Sequence, residues 1–173
     1  MMGFDKGLQI VRNVNQKYED VREESLSVHS SRQAAFGVVG DVLARAERIL
    51  AYLSELEKII EVKDGIGLFC GAWAYIHNEE LNVARRVKPV LSVKVDLKQS
   101  SVTFRSPDVG ITISQAGLTL RFRDYTIDIA LTKEEIASRA DLLKSLASKL
   151  IYLMDSILLR IEACSKYQYN IRL

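Results

Sequence analysis

The sequence predicts an α+β fold: long antiparallel helices from both chain ends forming a bundle, with a small antiparallel β-sheet of about five strands inserted between them as a meander. Three observations carry this. Ala35 to Ile60 and Ile136 to Cys164 each repeat apolar residues at alternating spacings of four and three, the signature of a helix seam packed on another helix. Between them, from Val90 to Leu131, the period drops to two, as in strands with one wet and one dry face. Turn-forming residues punctuate that stretch at short intervals. The chain divides accordingly into a helical bundle of residues 1–65 and 132–173 and an inserted segment, 66–131, whose strands lie within 90–131.

In order, Val11, Val14, Tyr18, Val21 and Val28 keep helical register from about Leu8 to Val28, weakening where Glu23, Glu24, Ser25 and Ser27 accumulate. His29-Ser30-Ser31 marks a stop and a new start, because Ser30 and Gln33 have the spacing of a capping box. The second helix follows with the seam Ala35, Val39, Val42, Ala46, Ile49, Leu53, Leu56 and Ile60. Phe36, Leu43 and Leu50 broaden its apolar stripe, Asp41, Arg45, Arg48 and Glu55 mark its wet face, and Asp64-Gly65 ends it.

Ile66 to Ile76 is one apolar run with glycines at 65, 67 and 71, for which period does not separate strand from helix. Asn78 to Val87 fits a short helix with Leu81 and Ala84 inward, closed by Pro89. Leu91, Val93, Val95 and Leu97 then alternate with Ser92, Lys94, Asp96 and Lys98. Val102 and Phe104, Ile111 and Ile113, Leu118 to Phe122, and Ile127 to Leu131 continue the alternation. Gln99-Ser100, Ser106-Pro107-Asp108, Gln115-Ala116-Gly117 and Asp124 supply the reversals.

Thr132-Lys133-Glu134-Glu135 reads as the capping box of an unbroken last helix, about 50 Å long at 1.5 Å per residue. Beyond its seam, Leu146 and Leu153 lie on one flank and Ile151 and Leu158 on the other. That arc is wider than one antiparallel partner covers, and the helix outreaches strands of about 20 Å. Both points predict that a second copy, making a homo-oligomer such as a dimer, or another protein docks on it.

With 173 residues and 48% hydrophobic content, the chain can build a core without disulfides or metals. Cys70 and Cys164 lie in apolar surroundings and read as buried thiols of a reducing compartment. The N-terminus lacks the order of a signal peptide, and the longest apolar run is about half a bilayer span. The expectation is a cytoplasmic protein with no membrane contact. A net charge of +2 excludes a strong bulk field toward any class of partner.

The residues of chemistry are sparse. Only His29, His77, Cys70 and Cys164 offer nitrogen or sulfur ligands, and Cys70 and His77, seven apart, match no zinc spacing. No G-x-S-x-G elbow occurs, and Glu79-Glu80 are neighbours that would not face one point on a helix. Gly65-Ile66-Gly67 lacks the third glycine of a dinucleotide loop, since Cys70 stands there. The chain is therefore expected to be no enzyme, with no cofactor, metal or small-molecule substrate.

Nucleic acid is the remaining candidate. The wet phase of the meander carries Lys94, Lys98, Arg105, Arg121 and Arg123 against Asp96 and Asp128, with the hydroxyls of Thr103, Thr112, Ser114, Thr119 and Thr126. Cations and hydroxyls are what phosphates bind. Phe104 and Phe122 fall on the dry phase, leaving that face without rings for bases to stack on. Arg85 and Arg86, with Lys88 and near Trp73 and Tyr75, form a second basic cluster. Two functions are thus expected in turn: an assembly protein docking through its last helix, or an auxiliary nucleic-acid-binding subunit of a nucleoprotein complex using the basic sheet face.

Overall fold

A computed structural model describes residues 3–59, 66–69, 72–77, 80–85 and 88–167. Its helices are α1 (Phe4–Glu24), α2 (Ser30–Ile59), α3 (Lys133–Ser138) and α4 (Ala140–Tyr167). Its strands are β1 (Ile66–Phe69), β2 (Ala72–His77), β3 (Glu80–Arg85), β4 (Lys88–Asp96), β5 (Ser101–Arg105), β6 (Val109–Ser114), β7 (Gly117–Phe122) and β8 (Thr126–Ile129). The class is α+β, and the sheet is an antiparallel meander in which every strand pairs with its sequence neighbours.

The sheet has eight strands rather than about five. The three additional ones come from residues 66–85, where a short helix over 78–87 was expected. Glu80–Arg85 is strand β3 instead, paired with β2 and β4. Local sequence there suits either geometry, and the backbone hydrogen bonds offered by two flanking strands decide it. Pro89 does not end a helix. It lies near the start of β4, where the pairing slips between Val83 and Ala84, a bulge that tolerates a missing amide donor.

Inward rows cross the sheet in register. Leu81, Val93, Phe104, Ile111, Leu120 and Ile127 form one, and Val95, Val102, Ile113, Leu118 and Ile129 the other. All but the half-buried Ile127 are buried, and they join the helices in one hydrophobic core. Each such side chain contributes roughly 1.5–3 kcal/mol by leaving water. The bundle and the inserted sheet therefore share their interior.

α1 and α2 are antiparallel: Arg12 pairs with Glu47, Asn15 Nδ2 donates to Leu43 O, and Tyr18 OH donates to Phe36 O at 2.5 Å. Burial raises the Tyr18 pKa above its ordinary value, with Arg22 opposing and Asp41 adding to the shift. α2 and α4, however, run parallel, correcting the expected antiparallel arrangement. Lys144 Nζ donates to Ser31 O, Arg45 pairs with Asp155 at 2.7 Å, and Arg48 pairs with Glu162, so both helices advance together.

The sheet explains this direction. Gly7, near the start of α1, abuts Val95 of β4, whereas Lys17 donates to Gln115 O in the β6–β7 turn. α1 thus runs across the strands, and the meander travels back along α2 at about 4.8 Å per strand. It delivers the chain to Lys133, which donates to Ser27 Oγ at the α1–α2 junction. A helix starting there and lying along α2 must run parallel to it. Gly7 permits the close approach: a Cβ there would stand 2.6 Å from Val95 Cγ2.

Caps are partly as expected. Thr132 Oγ1 accepts the Glu135 amide at 3.2 Å, but the Glu135 carboxylate accepts Arg139 Nε instead of reaching back. The final helix is not unbroken, because Arg139 leaves helical geometry between α3 and α4. At α2 the capping acceptor is His29 Nδ1, 3.2 Å from the Ser31 amide, while Gln33 Nε2 donates to Val28 O. Helix α2 begins one residue earlier than a Ser30 cap implies.

Candidate functional site

The outward positions of the strands form two polar rows. Glu80, Lys94, Thr103, Thr112, Thr119 and Asp128 align in one, and Asn82, Ser92, Arg105, Gly110, Arg121 and Thr126 in the next. Neighbours within a row are about 4.8 Å apart, and the rows are separated by about 6.8 Å along the strands. At the centre, β5, β6 and β7 therefore present three threonines beside arginine, glycine and arginine.

Local bonds organise these groups. The hydroxyls of Thr103 and Thr112 lie 2.9 Å apart, and Thr119 Oγ1 donates to Asp128 Oδ1 at 2.8 Å. Arg105 Nε donates to Ser92 Oγ at 3.0 Å, and its terminal nitrogen lies 3.4 Å from Glu80 Oε1. Arg123 pairs with Asp108 at 2.9 Å, linking the loops at either side of the β6–β7 hairpin. The Arg123–Asp108 pair is exposed and holds its side chains in place with little effect on stability, whereas Arg105 reaches a buried serine. Lys94 and Arg121 make no ion pair among the described residues.

The outcome is an open concavity of ≈ 610 Å³ lined by Lys94, Arg105, Arg121 and Arg123, by Thr103, Thr112 and Thr119, and by Asp96 and Asp108. Four of the five cations expected on the sheet face thus meet on one surface. Lys98 does not: it stands in the exposed β4–β5 turn, its amide donating to Asp96 Oδ1. Arg86 and the Arg85 side chain lie outside the described residues, as do Cys70 and the side chains of Cys164 and His77.

Two features escape the sequence pattern. Phe122 keeps the dry phase, half-buried against the hydrophobic core, yet it also lines the concavity, and its ring stacks on Tyr125 with centroids 5.0 Å apart. Tyr125 is 47% exposed, so the rim does carry an aromatic surface. Gly110 is the other. Its place between Arg105 and Arg121 exists only once strand register is known.

The expected docking residues of the last helix fare differently. Leu146, Leu153 and Leu158 are 5%, 3% and 7% exposed, and Ile151 is half-buried against the same core. The chain's own helices and sheet absorb the wide apolar arc. The length argument also lapses, because α1 runs across β4, β5 and β6 and not along one strand. Tyr152 and Leu159, one heptad apart, are the large apolar residues that α4 exposes among the described residues.

Among the described residues, no group of three or more His, Cys, Asp or Glu is placed to hold a metal, and no helix is long and apolar enough to cross a membrane. No family model matches the chain, and neither the curated proteins nor the solved structures contain a significant match to it.

Proposed function

We propose that the protein is a non-enzymatic, auxiliary nucleic-acid-binding subunit whose contact surface is the outer face of the sheet. One observation carries the reading: Lys94, Arg105, Arg121 and Arg123 converge with three threonine hydroxyls on a single open concavity. Cations and hydroxyls at these spacings serve phosphate oxygens, and cations bound to phosphates release counterions, which supplies most sequence-independent affinity. An open face also suits a polymer that must enter from the side.

Fluorescence anisotropy with labelled single- and double-stranded DNA and RNA, at about 50 and 200 mM salt, tests it. The expected result is micromolar or tighter binding that falls steeply with salt. The Lys94→Ala, Arg121→Ala double variant should weaken it at least tenfold, since charge-assisted hydrogen bonds are worth about 1.5–3 kcal/mol each. Absence of binding to every oligonucleotide, or binding only to anionic vesicles, would sink the reading.

A second reading, self-association of two copies through α4, is supported by Tyr152 and Leu159, which are 76% and 66% exposed on that helix. Sedimentation separates the two: a dimer dispersed by Tyr152→Ser with Leu159→Ser favours assembly, and a monomer at all concentrations removes it.

A further inference from the structure

The geometry points to Gly110 as the seat of one phosphate of a single-stranded polynucleotide, with the Phe122–Tyr125 ring pair as the platform for an adjacent base. This rests on the nucleic-acid reading above and adds the strand state of the ligand and the place where it is gripped. Gly110 is the one position without a side chain in the central block of outward residues, flanked by Arg105 and Arg121 and followed two residues on by Thr112. The gap is bounded by arginine stems: a Cβ built on Gly110 would stand 3.5 Å from Arg121 Cβ and 3.7 Å from Arg105 Cβ.

Those distances are ordinary contacts for a Cβ, and no left-handed backbone conformation demands glycine here, so alanine would fit. Glycine weakens a strand interior. What glycine provides is a low floor to the concavity, which Gly110 lines although the flanking arginine stems leave it buried. A tetrahedral anion placed over it meets the Arg121 guanidinium, which has no ion-pair partner among the described residues. Arg105, held by Ser92 and Glu80, closes the other side, and Thr112, whose hydroxyl lies 2.9 Å from that of Thr103, lines the same concavity.

The ring pair selects the strand state. Phe122 follows Arg121 directly, and Tyr125 stacks on it with an interplanar angle of 28°. An exposed ring can accept an unpaired base, whereas bases inside a duplex are already stacked on one another.

The test uses the full chain, a labelled fifteen-nucleotide oligothymidylate and a duplex of equal length. Gly110→Val should fold and lose about tenfold in oligothymidylate affinity. Its slope of log affinity against log salt should shrink by about 0.7, one single-strand phosphate. Arg121→Ala should do the same, and the double variant little more, because both changes remove one contact. Tyr125→Ala should weaken oligothymidylate about tenfold and the duplex hardly at all.

Gly110→Val binding as wild type, while Arg121→Ala weakens, overturns the seat and leaves the proposed function standing. Fully additive losses overturn the shared contact. Tighter binding of the duplex than of oligothymidylate overturns the strand state. If wild type binds neither probe, both inferences fall together. Should Gly110→Val fail to fold, Gly110→Ala carries the same test, with a smaller loss expected and wild-type affinity again counting against the seat.

Discussion

Along the central strands, Phe104, Ile111 and Leu120 form a row facing the helices, and the next residues toward the ends of the strands, Arg105, Gly110 and Arg121, form a row on the outer face. The same backbone hydrogen bonds hold both rows, yet they obey different constraints. The inner row is buried on every side and must fit the volume left by α1 and α4. The outer row is free of that demand, so residues there can be chosen for what they contact from solution. The glycine in the outer row is informative for that reason, because it leaves the concavity without a side chain between two arginines.

The contrast can be broken most severely from the helix side. Replacing Leu146 and Leu153 together with Glu places two carboxylates in the shared core, where an unpaired charge is very costly. The expected outcome is loss of the folded state, read as a collapsed melting transition. A stable, soluble monomer would instead return these residues to a partner surface.

A sharper version compares neighbours on one strand. Phe104→Ala should cost about 3–5 kcal/mol in denaturant unfolding, and Arg105→Ala only about 1 kcal/mol, for the bond it gives the buried Ser92. Similar losses at both positions would mean that the outer row is structural after all.

Tyr18 offers a smaller, pH-dependent probe of the interior. Its hydroxyl donates to Phe36 O, and burial raises its pKa. Above about pH 10 the unfolded chain gives up this proton before the folded chain does, so stability falls as pH rises there and is unaffected below. Tyr18→Phe should cost about 1 kcal/mol at neutral pH and flatten the alkaline decline, both measurable by urea unfolding. An unchanged decline would assign it to other groups.

The smallest effect lies at a turn belonging to neither row. Ser100 has φ of 49°, the left-handed region that glycine adopts without strain. Ser100→Gly should raise stability by about 0.5–1 kcal/mol in the same assay, and a loss would show that the serine earns its place by a contact.

How much of this was visible in the sequence follows from the range of each signal. The seams of α2 and α4 and the alternation from Leu91 to Ile129 are local periodicities, so they announce helices, strands and the two faces of the sheet directly. Residues 66–85 have no such period, and they are strands through pairing with one another and, for β3, with β4. The polar phase could be named residue by residue, but which of its members meet could not. The union of Lys94 with Arg121, and the gap between two arginines at Gly110, come from pairings between strands. Phe122 lay in the dry phase by count and at the rim by position, because alternation says nothing about where a sheet ends.

By itself, then, the sequence determined the element types, the apolar and polar faces, the Thr132 cap and the turns, since each depends on residues a few positions apart. Tertiary structure decided the parallel course of α2 and α4, the burial of Leu146, Leu153 and Leu158, the break at Arg139 and the convergence on Gly110. Those depend on how far the meander carries the chain before α3 begins and on which surfaces are then left to cover. Both are sums over the whole sheet, and no local pattern contains them.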